Sequence, residues 1–286
     1  MTTSTDFTLQ SEHACFGGVQ RFYRHFSEEV GLPMGFGVYL PPQASKVPVP
    51  ALVFLAGLTC TEETFAFKAG AQRVASELGL ALITPDTSPR GAGIVGEADH
   101  SEFGVGAGFY LDATQAPWSG HWCMESYLLR ELLPRMAQEL PLDGQRIGIT
   151  GHSMGGHGAL TIALRNPGRF ASVSAFSPIV SPLSCPWGEK ALTGYLGPDR
   201  AAWAQYDACE LIKDSRFHGE ILIDQGLADK FLDEQLKPEL FEAACKASGH
   251  HLKLRQHAEY DHSYWFIQTF IEQHLRFHAE VLTRGS

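Results

Sequence analysis

Short, almost wholly apolar segments recur along this chain, and they constrain its fold more than any other feature. The segments PALVFLAGL, LALITPDT, FASVSAFSP and EILIDQG lack the polar alternation of a strand that has one face in water. Strands of this composition are buried on both faces, as in parallel sheets that helices cover. Because helical patterns separate these segments, the sequence predicts an α/β fold with a mostly parallel central sheet and helices on both faces.

The remaining elements agree with this arrangement. GGVQRFYRHF and MGFGVYLPPQ predict two antiparallel strands ahead of the repeated units. Helices are predicted at AQRVASELG, which Gly79 ends, at residues 122–140 with a kink at Pro134, at GGHGALTIALRNP, at 235–248 and at 264–281. No linker or repeat interrupts the alternation, so we expect a single domain over residues 1–286.

Charge and cysteine usage exclude several functional classes. The 286 residues include 22 Lys+Arg and 32 Asp+Glu, a formal charge of −10, which argues against nucleic acid or an anionic membrane as partner. No apolar run approaches the ~20 residues that span a bilayer, and the N-terminal segment does not resemble a secretory signal. The six scattered cysteines predict free thiols. We therefore expect a cytoplasmic protein.

The motif with the clearest chemistry is Gly-His-Ser-Met-Gly, between the strand RIGIT and a predicted helix. It matches G-x-S-x-G, with Ser153 at its centre and Gly151 and Gly155 two residues to either side. In a nucleophile turn the serine backbone is strained and the flanking residues approach each other, so both must be small. The strand–turn–helix context therefore predicts that Ser153 is a nucleophile.

A serine nucleophile needs a histidine base that a carboxylate orients, and in this arrangement the acid precedes the histidine along the chain. Asp229 lies in the loop after the strand EILIDQG, where such an acid is expected. Two alternatives remain. Asp224 lies within that strand, where it can serve the structure through a hydrogen bond, and Asp233 is typical of a helix N-cap.

The base is expected late in the chain, where several histidines occur. The segment HLKLRQH predicts the last strand, with His250 and His251 at its start and His257 at its end. His262 lies in the loop between that strand and the last helix. We expect His262 to be the base, and the side chain of its neighbour Asp261 to point elsewhere.

Two backbone N–H groups must also face the charge that develops in the transition state, each worth roughly 3 kcal/mol of barrier. Met154, which follows the serine, supplies one candidate. The loop after VFLAGL supplies the other, and we expect it to be the N–H of Leu58, with Gly57 allowing the turn. This chemistry needs no cofactor and no metal.

At these residues the chain resembles the S-formylglutathione hydrolase family, also called esterase D, of the α/β-hydrolase superfamily. The most specific matching segments are GLTCTEETF, FGVGAGFYLDAT, GHSMGGHGAL and YDHSYWF, and the similarity extends over nearly the whole chain. The resemblance implies an α/β-hydrolase fold and a triad of Ser153, Asp229 and His262. It also implies an oxyanion hole formed by Leu58 and Met154.

The activity that this resemblance implies is hydrolysis of the thioester S-formylglutathione to formate and glutathione, a step of formaldehyde detoxification. A broader short-chain carboxylesterase is the alternative, because Ser101, Glu102 and Glu125 stand where the family usually has other residues. A catalytically silent binding protein of the same fold is disfavoured, since the whole triad is present in order. Members of the family are often dimers, which leaves a homodimer open, although no exposed apolar helix face indicates one.

Two further features concern the predicted site. Cys60 lies two residues after Leu58 and is either a small buried side chain or a near-site thiol through which thiol reagents inhibit the enzyme. The charge of −10 opposes an anionic substrate, so either a local basic group compensates or the glutathione end stays in solvent. Lys68 and Arg90 are the candidates, and both are also typical of solvated surface charges.

Overall fold

One sheet of nine strands runs through the computed structural model of the protein, which describes residues 6–283. The strands are β1 (Thr8–Cys15), β2 (Gly18–Phe26), β3 (Pro33–Leu40), β4 (Val49–Leu55), β5 (Ala81–Pro85), β6 (Leu142–Gly151), β7 (Ser172–Phe176), β8 (Ile221–Gly226) and β9 (Leu252–His257). Their spatial order is β1-β2-β3-β5-β4-β6-β7-β8-β9. The pairs β1–β2, β2–β3 and β3–β5 are antiparallel and the other five pairs are parallel, which confirms the predicted sheet.

Helices connect the strands and cover the sheet. They are α1 (Thr64–Lys68), α2 (Gln72–Leu78), α3 (Met124–Ser126), α4 (Leu133–Glu139), α5 (Met154–Arg165), α6 (Pro186–Leu196), α7 (Arg200–Trp203), α8 (Ala208–Leu211), α9 (Pro238–Ser248) and α10 (Tyr264–Thr283). Two segments, Tyr127–Leu132 and Leu232–Leu236, are π-helical. Short 3-10 turns lie at Pro42–Ser45, Trp118–Gly120, Pro182–Ser184, Ala204–Tyr206 and Ile212–Asp214.

The central strand β4 shows why these segments are apolar throughout. Its residues Ala51, Val53 and Leu55 pack into one apolar cluster with α5. Leu52 and Phe54 pack into a second cluster with α2 and α10. Because successive side chains of a strand point to opposite faces, a strand between two helical layers needs an apolar residue at every position. Helices therefore lie on both faces of the sheet, as predicted.

Local structure differs from the sequence-based prediction in two places. Strand β1 is absent from that prediction because its segment TLQSEHAC is polar and mostly exposed, and its pairing with β2 holds it in place. The helix predicted from residue 235 begins at Pro238, since Lys237 adopts φ 50° and ψ 51° and proline suits the first helical position. The prediction of Asp233 as the N-cap of this helix is therefore wrong, and Asp233 lies in a π-helical segment.

The kink predicted at Pro134 takes a specific form. The helix is π-helical over Tyr127–Leu132, and α4 then continues with Pro134 in its first turn. Proline lacks the N–H that an uninterrupted helix would use there, so the hydrogen-bond pattern changes next to it.

A chain of hydrogen bonds lies between α10 and the strands β7 and β8. Ser172 Oγ lies 2.6 Å from His278 Nδ1, and His278 Nε2 lies 2.7 Å from Ser174 Oγ. Ser174 Oγ lies 2.8 Å from His274 Nδ1, and His274 Nε2 lies 3.2 Å from Asp224 Oδ2. Because an ionised Asp224 can only accept, His274 carries its proton on Nε2, and both rings are satisfied as neutral imidazoles.

Asp224 also binds Arg255, from the adjacent strand β9. Arg255 donates two hydrogen bonds of 2.5 Å to the two carboxylate oxygens. Burial alone would raise the pKa of Asp224, but the bonds from His274 and Arg255 outweigh it and lower the pKa to about 2. Asp224 is thus a buried, paired carboxylate that ties β8 to β9 and α10.

We expect the protein to lose stability as the solution is acidified. Burial lowers the pKa of His274 and His278, and it lowers the pKa of His157 to about 4. Unfolded histidines have a pKa of about 6.5, so below that pH the unfolded state binds more protons and the free energy of unfolding falls. Each such histidine lowers the free energy of unfolding by up to about 1.4 kcal/mol for each pH unit of acidification.

Melting temperatures at about pH 7 and about pH 5 test this expectation. The variant His278→Asn removes one buried titrating ring, so its melting temperature should fall less steeply with pH than that of the wild type. Equal melting temperatures of the wild type at both pH values would contradict the prediction.

Candidate active site

The serine turn has the geometry that its motif predicts. Ser153 lies between β6 and α5 with φ 58° and ψ −119°, a strained conformation for a residue that has a side chain. A Cβ on Gly151 would lie 2.2 Å from the carbonyl oxygen of Gly155. A Cβ on Gly155 would lie 1.9 Å from the carbonyl oxygen of Leu55. Close backbone contacts therefore require both glycines.

Ser153, His262 and Asp229 form a chain of hydrogen bonds at the carboxyl end of the sheet. His262 Nε2 lies 2.8 Å from Ser153 Oγ, and His262 Nδ1 lies 2.5 Å from Asp229 Oδ2. The other oxygen of Asp229 accepts a 2.9 Å hydrogen bond from the backbone N–H of Phe231. With Nδ1 donating to the carboxylate, His262 presents an unprotonated Nε2 to the serine hydroxyl. In this tautomer the imidazole can accept the proton of Ser153.

The fold brings together two loops that are distant along the chain. Asp229 follows β8, and His262 lies between β9 and α10. A Cβ on Gly226 would lie 2.3 Å from the carbonyl oxygen of Tyr260, so the two loops are in direct contact. Parallel strands β8 and β9 end at the same edge of the sheet, which places the carboxylate beside the imidazole.

The alternative residues occupy other positions. His257 Nε2 lies 3.4 Å from Asp224, the buried carboxylate of the hydrogen-bonded chain between α10 and the strands β7 and β8. His250 contacts the carbonyl oxygen of Ser215, and His251 is exposed. Asp261 accepts hydrogen bonds from Ser263 of its own loop, and the two ring nitrogens of His262 pair with Asp229 and Ser153 instead, so Asp261 is not the partner of His262, as expected.

The loop after β4 brings backbone N–H groups close to the serine. A Cβ on Gly57 would lie 3.2 Å from both Ser153 Cβ and His152 Nδ1, so the loop packs tightly against the serine turn at this residue. Leu58 lines the same cavity as Ser153, and Met154 begins α5. Within residues 6–283 neither the Leu58 nor the Met154 N–H donates to another group. The N–H groups of Leu58 and Met154 are therefore both available to bind another group.

His152, the variable position of the motif, contacts the triad although the sequence does not single it out. Its ring centroid lies 4.4 Å from that of His262, and the residue is buried. Neither of its ring nitrogens has a hydrogen-bond partner within the described part of the chain. Burial and the nearby charge of a protonated His262 keep the pKa of His152 well below its usual value. A neutral ring therefore packs against the imidazole of the triad.

A cavity of about 330 Å³ opens beside Ser153, near the lower end of the size range of small-molecule sites. Trp187 and Phe231 line it with ring centroids 4.6 Å apart, and Phe231 lies edge-on to His262 at 5.1 Å. Ser101 also lines the cavity. The aromatic pair belongs to segments whose role the sequence alone does not indicate, because their rings meet only in the folded chain.

Cys60 also lines this cavity, which fits its description as a near-site thiol. Burial raises the pKa of its thiol, so the protonated form prevails at neutral pH. All six cysteines are free, as predicted. Arg90 donates to the carbonyl oxygen of Cys60 at 3.1 Å and pairs with Asp86 at 2.7 Å. The interpretation of Arg90 as a solvated surface charge is therefore wrong, because it holds this loop, whereas Lys68 is exposed and lines the cavity.

Residues 6–283 contain no cluster of His, Cys, Asp or Glu side chains suited to a metal ion. No helix in the same range has the length and apolar character needed to cross a bilayer.

Known proteins are similar to this chain both in sequence and in overall fold. Residues 27–277 match a family model described as putative esterase. The S-formylglutathione hydrolase of Rattus norvegicus is 52% identical over 274 residues, covering 95% of this chain and 97% of the rat protein. The chain belongs to the S-formylglutathione hydrolase family.

Two more members of the S-formylglutathione hydrolase family show how far the similarity extends. The Arabidopsis thaliana enzyme is 53% identical over 271 residues, which cover 93% of this chain and 95% of that protein. The structure of the Agrobacterium tumefaciens enzyme superposes with a TM-score of 0.94 at 52% identity, covering 96% of this chain and 99% of that one. The resemblance and the α/β-hydrolase fold are thus confirmed, and the chain is a hydrolase.

The structure explains Glu102 and Glu125, two of the three residues that are expected to depart from the usual family sequence. Glu125 is buried, 3.2 Å from both Arg165 and Asn166, and this burial raises its pKa. Glu102 pairs with Lys190 at 2.6 Å, and this hydrogen bond is the main cause that lowers the pKa of Glu102 to about 2. Of the three departures, only the first in the chain, at position 101, lines the cavity.

Proposed function

We propose that this hydrolase cleaves S-formylglutathione to formate and glutathione through a formyl-serine intermediate. The observation that carries the proposal is the hydrogen-bonded chain of Ser153, His262 and Asp229, in a protein 52% identical to the rat S-formylglutathione hydrolase. A covalent serine mechanism suits a thioester, because a thiol is a good leaving group.

The acylation step follows from the tautomer of His262. Ser153 Oγ attacks the formyl carbon while its proton passes to His262 Nε2. The oxyanion that forms faces the N–H groups of Leu58 and Met154. The carbon–sulfur bond then breaks, and His262 gives the proton to the departing glutathione sulfur. Asp229 holds the tautomer and stabilises the imidazolium.

Deacylation uses the same groups in reverse. A water molecule loses its proton to His262 Nε2 and attacks the carbon of the formyl ester, and the second oxyanion faces the same two N–H groups. The intermediate collapses, the proton returns from His262 to Ser153 Oγ, and formic acid leaves and loses its own proton to solvent as formate. No group beyond the side chains and N–H donors named here takes part.

The continuous sheet and the net charge also bear on the domain organisation and the partners of this protein. We propose that residues 1–286 form one domain that acts in the cytoplasm on a small molecule, with neither nucleic acid nor a membrane as partner. The continuous sheet and the charge of −10 support this. We propose a homodimer by analogy with the family. Size-exclusion chromatography with light scattering measures whether the mass of the protein in solution is twice the 31.4 kDa of one chain.

A broader short-chain carboxylesterase is the second candidate. Ser101 favours it, since this small side chain lines the cavity and leaves space for larger groups. The variant Ser101→Trp would fill that space, so a loss of activity on longer acyl esters, with formyl transfer retained, would support the broader specificity.

Incubation of the purified protein with S-formylglutathione tests the leading proposal. Formate and glutathione should appear in equal amounts, with Ser153→Ala as the blank. A folded wild-type protein that releases neither product would overturn the proposal.

We expect thiol reagents such as N-ethylmaleimide to inhibit ester hydrolysis through Cys60. Inhibition should accelerate as pH rises, because burial raises the pKa of this thiol and the thiolate is the reactive form. The variant Cys60→Ser should resist the reagent. Cys15→Ser, which removes a partly buried thiol outside the cavity, should stay as sensitive as the wild type. Equal inhibition of Cys60→Ser and wild type would show that Cys60 is not the target.

A further inference from the structure

One charged side chain at the active site has no role in the mechanism above. Lys68 ends α1, is exposed, and lines the cavity that contains Ser153. It also lines a second cavity of about 510 Å³. Ser263 and Tyr264 line both cavities as well, so the two cavities adjoin at these residues, and together they are called the groove.

The charge of this groove differs from that of the whole protein. Of the described residues that line either cavity, Lys68 is the one Lys or Arg, and none is Asp or Glu. Within residues 6–283 Lys68 makes no ion pair, and its Nζ lies 5.8 Å from the ring centre of Tyr264. A protein with a net charge of −10 thus has an unpaired cation at the mouth of its active site. Such a local charge attracts an anionic group despite the overall field.

Resting on the proposed function, we infer that Lys68 is a specificity-determining residue that binds the glycine carboxylate of the glutathione half of the substrate. Glycine directly follows the cysteine that carries the thioester. Seven bonds separate its carboxylate carbon from the formyl carbon that Ser153 attacks, so the two lie within about 9 Å of each other. The other carboxylate, on the γ-glutamyl residue, lies beside its own ammonium group, which offsets its charge. The glycine carboxylate is thus the stronger partner for a lone cation.

This assignment resolves the conflict between an acidic protein and an anionic substrate. Lys68 provides attraction where the substrate binds, and the mouth of the groove stays free of competing carboxylates. Because Lys68 remains exposed, the interaction is that of a solvated ion pair and has a moderate effect on affinity.

Glutathione itself is the probe that separates binding from thioester chemistry. We expect it to inhibit hydrolysis of 4-nitrophenyl acetate by occupying the site of the thiol half. Its inhibition constant should rise about fivefold in Lys68→Met, rise further in Lys68→Glu, and stay within about twofold in Lys68→Arg. Lys246→Met is the matched control, because Lys246 is an exposed lysine on α9 that lines neither cavity. It should leave the inhibition constant unchanged.

A second ligand tests which carboxylate Lys68 binds. Glutathione amide carries a neutral carboxamide in place of the glycine carboxylate. The wild type should bind the amide about fivefold more weakly than glutathione, whereas Lys68→Met should bind the two equally. Added salt should weaken glutathione binding to the wild type more than to Lys68→Met.

The outcomes separate this inference from the proposed function. If glutathione inhibits the wild type and Lys68→Met changes neither the inhibition constant nor the preference over the amide, the inference is wrong and the proposed function stands. If Lys68→Met weakens glutathione and the amide equally, Lys68 does not bind the glycine carboxylate and the inference is again wrong. If the wild type neither binds glutathione nor cleaves S-formylglutathione, both fail.

Discussion

Replacement of Ser153 by alanine is expected to lower kcat for S-formylglutathione and for 4-nitrophenyl acetate by about 10⁴- to 10⁶-fold. The hydroxyl is the atom that becomes acylated, and it is the hydrogen-bond partner of His262 Nε2, 2.8 Å away. Without it, no acyl-enzyme can form at this position. The N–H donors and the cavity remain in this variant, so it should still bind the substrate. Steady-state rates with both substrates measure the loss.

The control for Ser153→Ala is another serine outside the site. Ser248→Ala removes a hydroxyl that bonds to the carbonyl oxygen of Ala244 at the end of α9, and it should keep wild-type rates. If a pure and folded Ser153→Ala protein retains more than a small fraction of wild-type activity on both substrates, the serine mechanism is wrong.

Replacement of Asp224 by alanine is expected to lower the free energy of unfolding by about 3–5 kcal/mol. The change leaves Arg255 and His274 without their carboxylate partner at a fully buried position. Asp224 also pairs with Arg255 across β8 and β9, the two strands whose loops carry Asp229 and His262. The same change should therefore reduce activity as well as stability. Urea denaturation measures the loss in the free energy of unfolding.

A surface ion pair provides the comparison for Asp224. Glu272 forms an ion pair with Arg276 at 2.7 Å on the exposed side of α10. Glu272→Ala should lower the free energy of unfolding by about 1 kcal/mol or less. If Asp224→Ala does not fold, Asp224→Asn, which keeps the shape of the side chain, allows the measurement. A loss from either Asp224 variant as small as that from Glu272→Ala would contradict the assigned role of the buried pair.

The features that the sequence predicts are those that depend on burial and on strand ends. An apolar run such as PALVFLAGL is typical of a strand between two helical layers, and the helical patterns that separate such runs then predict the parallel sheet. The carboxyl ends of parallel strands meet at one edge, so Asp229 and His262 can be placed there before any contact is known. The close spacing of Gly151 and Gly155 is likewise a local steric property of the turn.

Features that depend on contacts between distant segments are outside the reach of sequence reasoning. His152 matters because its ring meets that of His262, and nothing in the motif indicates that contact. Strand β1 is polar, and only its pairing with β2 makes it a strand. The start of α9 at Pro238 depends on the positive φ of Lys237, a residue type that seldom adopts it.

The ratio of kcat/KM for S-formylglutathione to kcat/KM for 4-nitrophenyl acetate tests the central claim most directly. Both substrates are acylating agents for the same serine, so the ratio measures how far the site is built for the glutathione thioester. We predict that wild-type protein prefers S-formylglutathione by about tenfold or more, which corresponds to about 1.4 kcal/mol of transition-state stabilisation. A preference for the ester by orders of magnitude would contradict the account and identify the protein as a broader carboxylesterase.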